Sequence, residues 1–82
     1  MNVALFLQVI SPLLPSIIRL VEQTIPGPKK GTRKRKKVLK TIESLARDVP
    51  QLAIQIQTIS QKAGKMVDAE VTRMNEQQGL AP

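Results

Sequence analysis

The chain of 82 residues has no cysteine, histidine, tryptophan or tyrosine, and its one aromatic side chain is Phe6. Without cysteine there is no disulfide and no thiolate ligand. Without histidine as well, a metal ion would depend on six scattered carboxylates, so the sequence predicts no metal site and no cofactor. The near absence of aromatic residues leaves the core to Leu, Ile, Val, Met and Ala, a composition that suits packed helices better than a sheet. Catalysis loses most of its means in the same way. A nucleophile with its base, or a tuned pair of carboxylates, is needed, and Asp68 and Glu70, two residues apart, point in different directions on a helix. The reading is a non-enzymatic protein with no small-molecule substrate. A chain this short makes one small domain at most and is marginal alone. With disulfides and metals removed as supports, self-association or docking in a larger protein assembly remains.

What the chain does have is basic charge, and it is concentrated. The formal net charge is +7, and eight of the 13 Lys and Arg residues fall in residues 26–40 with no acid among them. In residues 1–25 Arg19 balances Glu22, and residues 41–82 carry four cations against five acids. Three segments follow: an apolar N-terminal helical segment, 1–25; a Pro/Gly-containing polybasic hinge, 26–40; and an amphipathic, coiled-coil-like helical segment, 41–82.

Residues 3–25 are strongly apolar, but Gln8, Ser11, Pro15, Arg19 and Glu22 recur at spacings of three and four, a narrow polar stripe on a greasy helix. A signal peptide does not fit, since no basic residue precedes the apolar run and no small-residue cleavage site follows it clearly. A membrane span needs about 20 apolar residues, and this stretch is interrupted by Gln8, Ser11, Pro12, Pro15, Ser16 and Arg19. A helix covered on most sides by protein is the favoured reading, with a membrane-inserted helix as the alternative. Ser11-Pro12 has the form of an N-cap followed by proline at the first helical position. A helix is therefore expected over about 12–24, after a separate or kinked turn at 2–10, and Ile25-Pro26-Gly27-Pro28 should end it.

In the hinge, Gly31 and Thr32 offer a flexible residue and a capping hydroxyl, so a second helix is expected to start near Arg33. Its first turn would be crowded with cations, against the macrodipole and with like charges at helical spacing. It should fray unless anions lie beside it. Lys29, Lys30, Arg33, Lys34, Arg35, Lys36, Lys37 and Lys40 are the candidate anion-binding or phosphate-binding residues. The bland reading is a solvated linker; the functional one is a patch for nucleic-acid phosphates, anionic lipid or an acidic protein surface. With no Tyr or Trp to stack on bases, any nucleic-acid contact is expected to be non-specific.

From residue 42 the apolar positions become regular. Ile42, Leu45, Val49, Leu52, Ile56, Ile59, Ala63 and Met66 follow a 3-4-3-4-3-4-3 spacing, a coiled-coil seam and the candidate oligomerisation surface. Val67, Val71 and Met74 continue it after a slip of phase. Pro50 interrupts the seam, and Asp48-Val49-Pro50-Gln51 has the form of a capping box, so two helices are expected, about 34–47 and about 49–77. Gly79 and Pro82 close the chain.

The run Val21-Glu22-Gln23-Thr24-Ile25-Pro26-Gly27-Pro28-Lys29-Lys30-Gly31, followed by Lys36-Lys37-Val38-Leu39 and Ile42, resembles a segment of small bacteriophage proteins, among them holins of the LL-H type. The resemblance covers residues 21–42, implies a phage origin and carries over no catalytic or binding residue. Together these observations predict an all-α protein of two or three helices with a long C-terminal coiled-coil-like helix, oligomeric or docked in a larger assembly. The leading function is a structural virion or assembly protein, in the virion or host cytoplasm, that packs by helix contacts and touches DNA or an acidic partner through the hinge. The alternatives are a holin-like or otherwise membrane-associated protein at the bacterial inner membrane, with residues 3–21 in the bilayer, and a non-specific nucleic-acid-binding adaptor.

Overall fold

A computed structural model describes residues 1–25 and 31–77. The Pro26-Gly27-Pro28 stop, Lys29, Lys30 and the closing Gly79 and Pro82 lie outside the described residues. The chain is all-α: α1 (Val3–Ile10), a 3-10 turn (Ser11–Leu13), α2 (Leu14–Thr24), α3 (Gly31–Arg47), the short α4 (Pro50–Ala53) and α5 (Ile56–Gln77). No strand occurs among the described residues.

The first two helices make one rod. Asn2 caps it, its Oδ1 accepting from the Leu5 N–H at 2.8 Å, a form of N-cap that satisfies an otherwise orphaned donor. The two prolines are accommodated by tightening one turn. Pro12 and Pro15 cannot donate to the carbonyls four residues back, and through this turn the Leu14 N–H bonds to Ser11 O in the 3-10 manner. Ser11 does not cap: it is itself in αR conformation, with its N–H on Leu7 O, because the helix runs on through it. At the far end Ile25, the residue before Pro26, leaves the helical region (φ −121°, ψ 83°), as the steric demand of a following proline requires.

Further along, α3 runs from Gly31, so Thr32 lies inside its first turn rather than ahead of it, and the helix passes through residue 40 without a break. Val38, Ile42 and Ala46, four residues apart, are buried along one side and anchor the helix by apolar contact. Beyond Arg47 the chain turns, and Pro50 opens α4 at the position where its missing N–H costs nothing. Val49 is the N-cap and uses no side chain. The capping box does not form; Gln51 instead accepts the amino group of Met1 on Oε1 at 2.7 Å. A second break at Ile54–Gln55 delays the long helix to Ile56, so it is about 33 Å long at 1.5 Å per residue, shorter than the expected helix over about 49–77.

The rods run up, down and up. Arg35 meets Asp68 at 2.8 Å and Glu43 meets Ser60 at 3.4 Å, so residue numbers rise on α3 as they fall on α5 and the two are antiparallel. The α1–α2 rod starts beside α4 through the Met1–Gln51 bond and packs on both α3 and α5. One core results, with Phe6, Leu7, Ile10, Leu14, Ile18 and Val21 from the rod facing Val38, Ile42, Leu52, Ile59, Ala63 and Val67. The body measures 40 × 21 × 17 Å, one helix length by about two helix diameters.

Candidate nucleic-acid interface

The basic run is divided by the geometry of α3. Each residue turns the helix by about 100°, so the face opposite Val38, Ile42 and Ala46 carries Arg33, Lys36, Lys37 and Lys40. All four are exposed, and the stripe from Arg33 to Lys40 extends about 10 Å along the axis. Arg47, one to two turns further along the same side, is tied to Glu43 at 3.5 Å. Among the described residues, the ion pairs are Arg35–Asp68, Arg47–Glu43 and Arg73–Glu70, and none of them uses Arg33, Lys36, Lys37 or Lys40.

Lys34 and Arg35 go elsewhere. Arg35 lies across α5, where Nε donates to Asp68 Oδ1 at 2.8 Å and a second guanidinium nitrogen to Oδ2 at 3.3 Å. This two-pronged contact with Asp68, followed by the attraction of opposite charges, pushes the Arg35 guanidinium above its ordinary value. Gly64 makes room for it: a Cβ there would stand 2.6 Å from the Arg35 guanidinium. Lys34 is half-buried and lines a groove of about 540 Å³ between α2, α3 and α5, floored by Val38 and Val67 and edged by Glu22, Lys34, Arg35 and Asp68. Two acids and two bases on one rim balance each other, so this groove lacks the excess of positive charge that the outer stripe carries.

Comparison with protein-family models, with characterised proteins and with solved structures finds no match to the chain. Its chemistry is therefore read from its own residues. The outer stripe offers guanidinium and ammonium donors to phosphate oxygens, and it has no aromatic platform beside it for reading bases. Among the described residues, no group of three or more acids is placed to hold a metal ion.

The residues of the apolar seam are shared out among elements. Ile42 and Leu45 are on α3, Val49 in the turn, Leu52 on α4, and Ile56, Ile59, Ala63 and Met66 on α5, so the 3-4 spacing carries across a reversal of the chain. Within the single chain Ile42, Leu52, Ile59 and Ala63 are buried, Val49, Ile56 and Met66 half-buried, and Leu45 exposed. A different apolar set faces water: Leu5, Val9, Leu13 and Leu20 on the rod, and Ile54 at the α4–α5 break. Asp68 and Gly64 had no place in the charge pattern of the hinge. The signal for Asp68 was present in its position, beside the seam at Ala63 and Val67, where an acid flanks a packed neighbour. The antiparallel register is what brings Arg35 to it.

Proposed function

We propose that this chain is a non-enzymatic helical assembly protein of the small bacteriophage type, working as an oligomer or as a component of a larger particle. It contacts nucleic-acid phosphates without sequence preference through Arg33, Lys36, Lys37 and Lys40. The observation that carries the reading is the separation of cations on α3: Arg35 is held by Asp68, whereas the outward four have no acid paired to them among the described residues. Four adjacent cations on one helix face cost repulsion at i, i+3 and i, i+4, a cost relieved when phosphates take the place of counterions. The coiled-coil-like part of the reading rests on the 3-4 spacing from Ile42 to Met66, and the phage origin on the resemblance at residues 21–42. The virion or the host cytoplasm is the matching location.

A duplex of mixed sequence, titrated with the protein at several salt concentrations, tests this. With about four phosphates engaged, the logarithm of affinity should fall against the logarithm of salt with a slope near −3 to −4, equal for unrelated sequences. Replacing Arg33, Lys36, Lys37 and Lys40 by Gln should abolish binding while leaving helix content unchanged. Retained binding by that variant overturns the proposal.

A second reading has its own observation. Val3–Thr24 is 22 residues long and contains an 18-residue window with a mean hydropathy of 1.8, long and apolar enough to cross a membrane, and only a third of that window is buried in the fold. Under this reading residues 3–21 enter the bilayer and the basic segment meets anionic headgroups. Insolubility that only detergent relieves would select it.

A further inference from the structure

Asp68 marks the side of α5 that meets α3, because it holds Arg35 at 2.8 Å, and the turn of the helix places the other α5 cations relative to it. At about 100° per residue, the buried Ala63 and Val67 lie to one side of Asp68, and Lys65 lies about 60° round to the other. Lys62 stands about 120° from Asp68, beyond Lys65. Both lysines are exposed, and none of the ion pairs among the described residues uses them. On α3, counting from Arg35 in the same way puts Lys36 about 100° and Lys40 about 140° round, again on the side away from the core. The heights agree as well. Asp68 meets Arg35 and Ser60 meets Glu43, so Lys65 falls between these two contacts, level with the α3 residues from Lys36 to Lys40.

We infer that Lys65 is a further phosphate-contacting residue and that the ligand is a nucleic-acid duplex, held across the furrow between α3 and α5. The α3 stripe meets the phosphates of one strand and Lys65 those of the other. This rests on the phosphate-binding reading above and adds to it the class of nucleic acid and a second helix.

The charge between the two rows allows it. Asp68 is taken up by Arg35, and Glu43 by Arg47 and the Ser60 hydroxyl. Gln61, about 20° round α5 from Asp68, is exposed and uncharged. No unpaired carboxylate among the described residues therefore separates Lys65 from Lys36 and Lys40. The spacing points to a duplex. Packed helices have axes about 8–10 Å apart, between the roughly 6 Å of a minor groove and the roughly 12 Å of a major groove. Two rows of cations at that separation match two rows of phosphates facing each other across a groove. A single strand offers one row, and it can follow α3 alone.

The test titrates the full chain, at several salt concentrations, with a mixed-sequence duplex and with one of its strands alone. Lys65→Gln should flatten the duplex salt slope by about one and leave single-strand binding as it is. Gln61→Lys, which adds a cation to the same furrow, should steepen the duplex slope by about one. Lys62→Gln should change neither ligand's binding. Circular dichroism should be the same for all three variants, since each side chain is exposed. A duplex slope unmoved by Lys65→Gln, an equal loss with Lys62→Gln, or an equal loss on the single strand would overturn the inference. The two levels fail separately. If the variant with Gln at 33, 36, 37 and 40 loses the duplex while Lys65→Gln binds like the parent, this inference alone falls; if that fourfold variant binds like the parent, the reading beneath it falls too.

Discussion

Gly64 on α5 and Arg35 on α3 occupy one another's space: the Arg35 guanidinium lies where a side chain at residue 64 would begin. The glycine is mid-helix, where it costs about 1 kcal/mol relative to alanine, and what it admits is an exposed ion pair worth about 0–1 kcal/mol. Because the displaced group is the far end of a flexible side chain, the backbone need not move. Gly64→Ala should therefore leave stability unchanged or raise it by up to about 1 kcal/mol, while the coupling between Arg35 and Asp68 falls. A double-mutant cycle on Arg35 and Asp68 in both backgrounds measures that loss. Destabilisation by Gly64→Ala beyond about 1 kcal/mol would mean that α3 and α5 touch through the backbone at this point.

Asp68 limits the number of cations available on α3. Asp68→Asn removes the charge that holds Arg35 and should change unfolding free energy by less than about 1 kcal/mol, since the pair is half-exposed on both sides. Its larger effect should be on binding. With Arg35 released, affinity for duplex DNA should rise and the salt slope steepen by about one. Arg35→Gln should do neither, and the combined variant should behave as Arg35→Gln. An unchanged slope in Asp68→Asn would place Arg35 outside the reach of the bound strand.

Two residues three apart in the seam should respond very unequally to truncation. Ile42 is fully buried between the helices, whereas Leu45 is 44 % exposed. Ile42→Ala should cost about 2–5 kcal/mol, a large share of the roughly 4–12 kcal/mol expected of a domain this size, and Ile42→Val about 0.5–1.5 kcal/mol. Leu45→Ala should stay near the ±0.5 kcal/mol of surface substitutions. Thermal or denaturant unfolding of the three variants separates them. Equal losses at 42 and 45 would indicate that Leu45 is covered in solution by another molecule.

Helix positions were legible where spacing and proline spoke together. The end of α2 before Pro26, the break at Pro50 and the apolar side of α3 follow from local rules that do not depend on the neighbour. The polar stripe from Gln8 to Glu22 is on the outside of the rod, as its composition requires. What periodicity cannot specify is the partner of each face. The spacing from Ile42 to Met66 continues unbroken because the turn and α4 happen to keep the phase, although the chain reverses within it. Nothing at Ile54–Gln55 has the Gly or Pro signature of a break, and Ile54, at 85 % exposed, is an apolar residue in a turn. Ser11 and Asp48 had the composition of caps, but the helix runs through one and a valine caps beside the other. In the candidate interface the sequence marked the cations, and only the three-dimensional placement of Asp68 separates Arg35 from the outward four.

Acid should act on the fold and leave the cationic face alone. The Arg73 guanidinium donates to both carboxylate oxygens of Glu70, and this contact holds the Glu70 carboxyl below its ordinary value. A lowered carboxyl stabilises the fold above the ordinary range near pH 4.3, and that contribution disappears as the pH falls through the lower folded value. The melting temperature should therefore drop as pH falls below about 4.5, and less so in Glu70→Gln, where the group cannot ionise. DNA binding should behave otherwise. With no histidine in the chain, no imidazole changes charge between about pH 5 and 8, so affinity at constant salt should be flat across that interval. Melting curves of parent and Glu70→Gln from about pH 3 to 7 test the first expectation, and duplex titrations from about pH 5 to 8 the second. A parent and variant with superimposable acid profiles would remove Glu70 from the acid response. Binding that falls between pH 6 and 8 would show that a group outside Arg33, Lys36, Lys37 and Lys40 carries the contact.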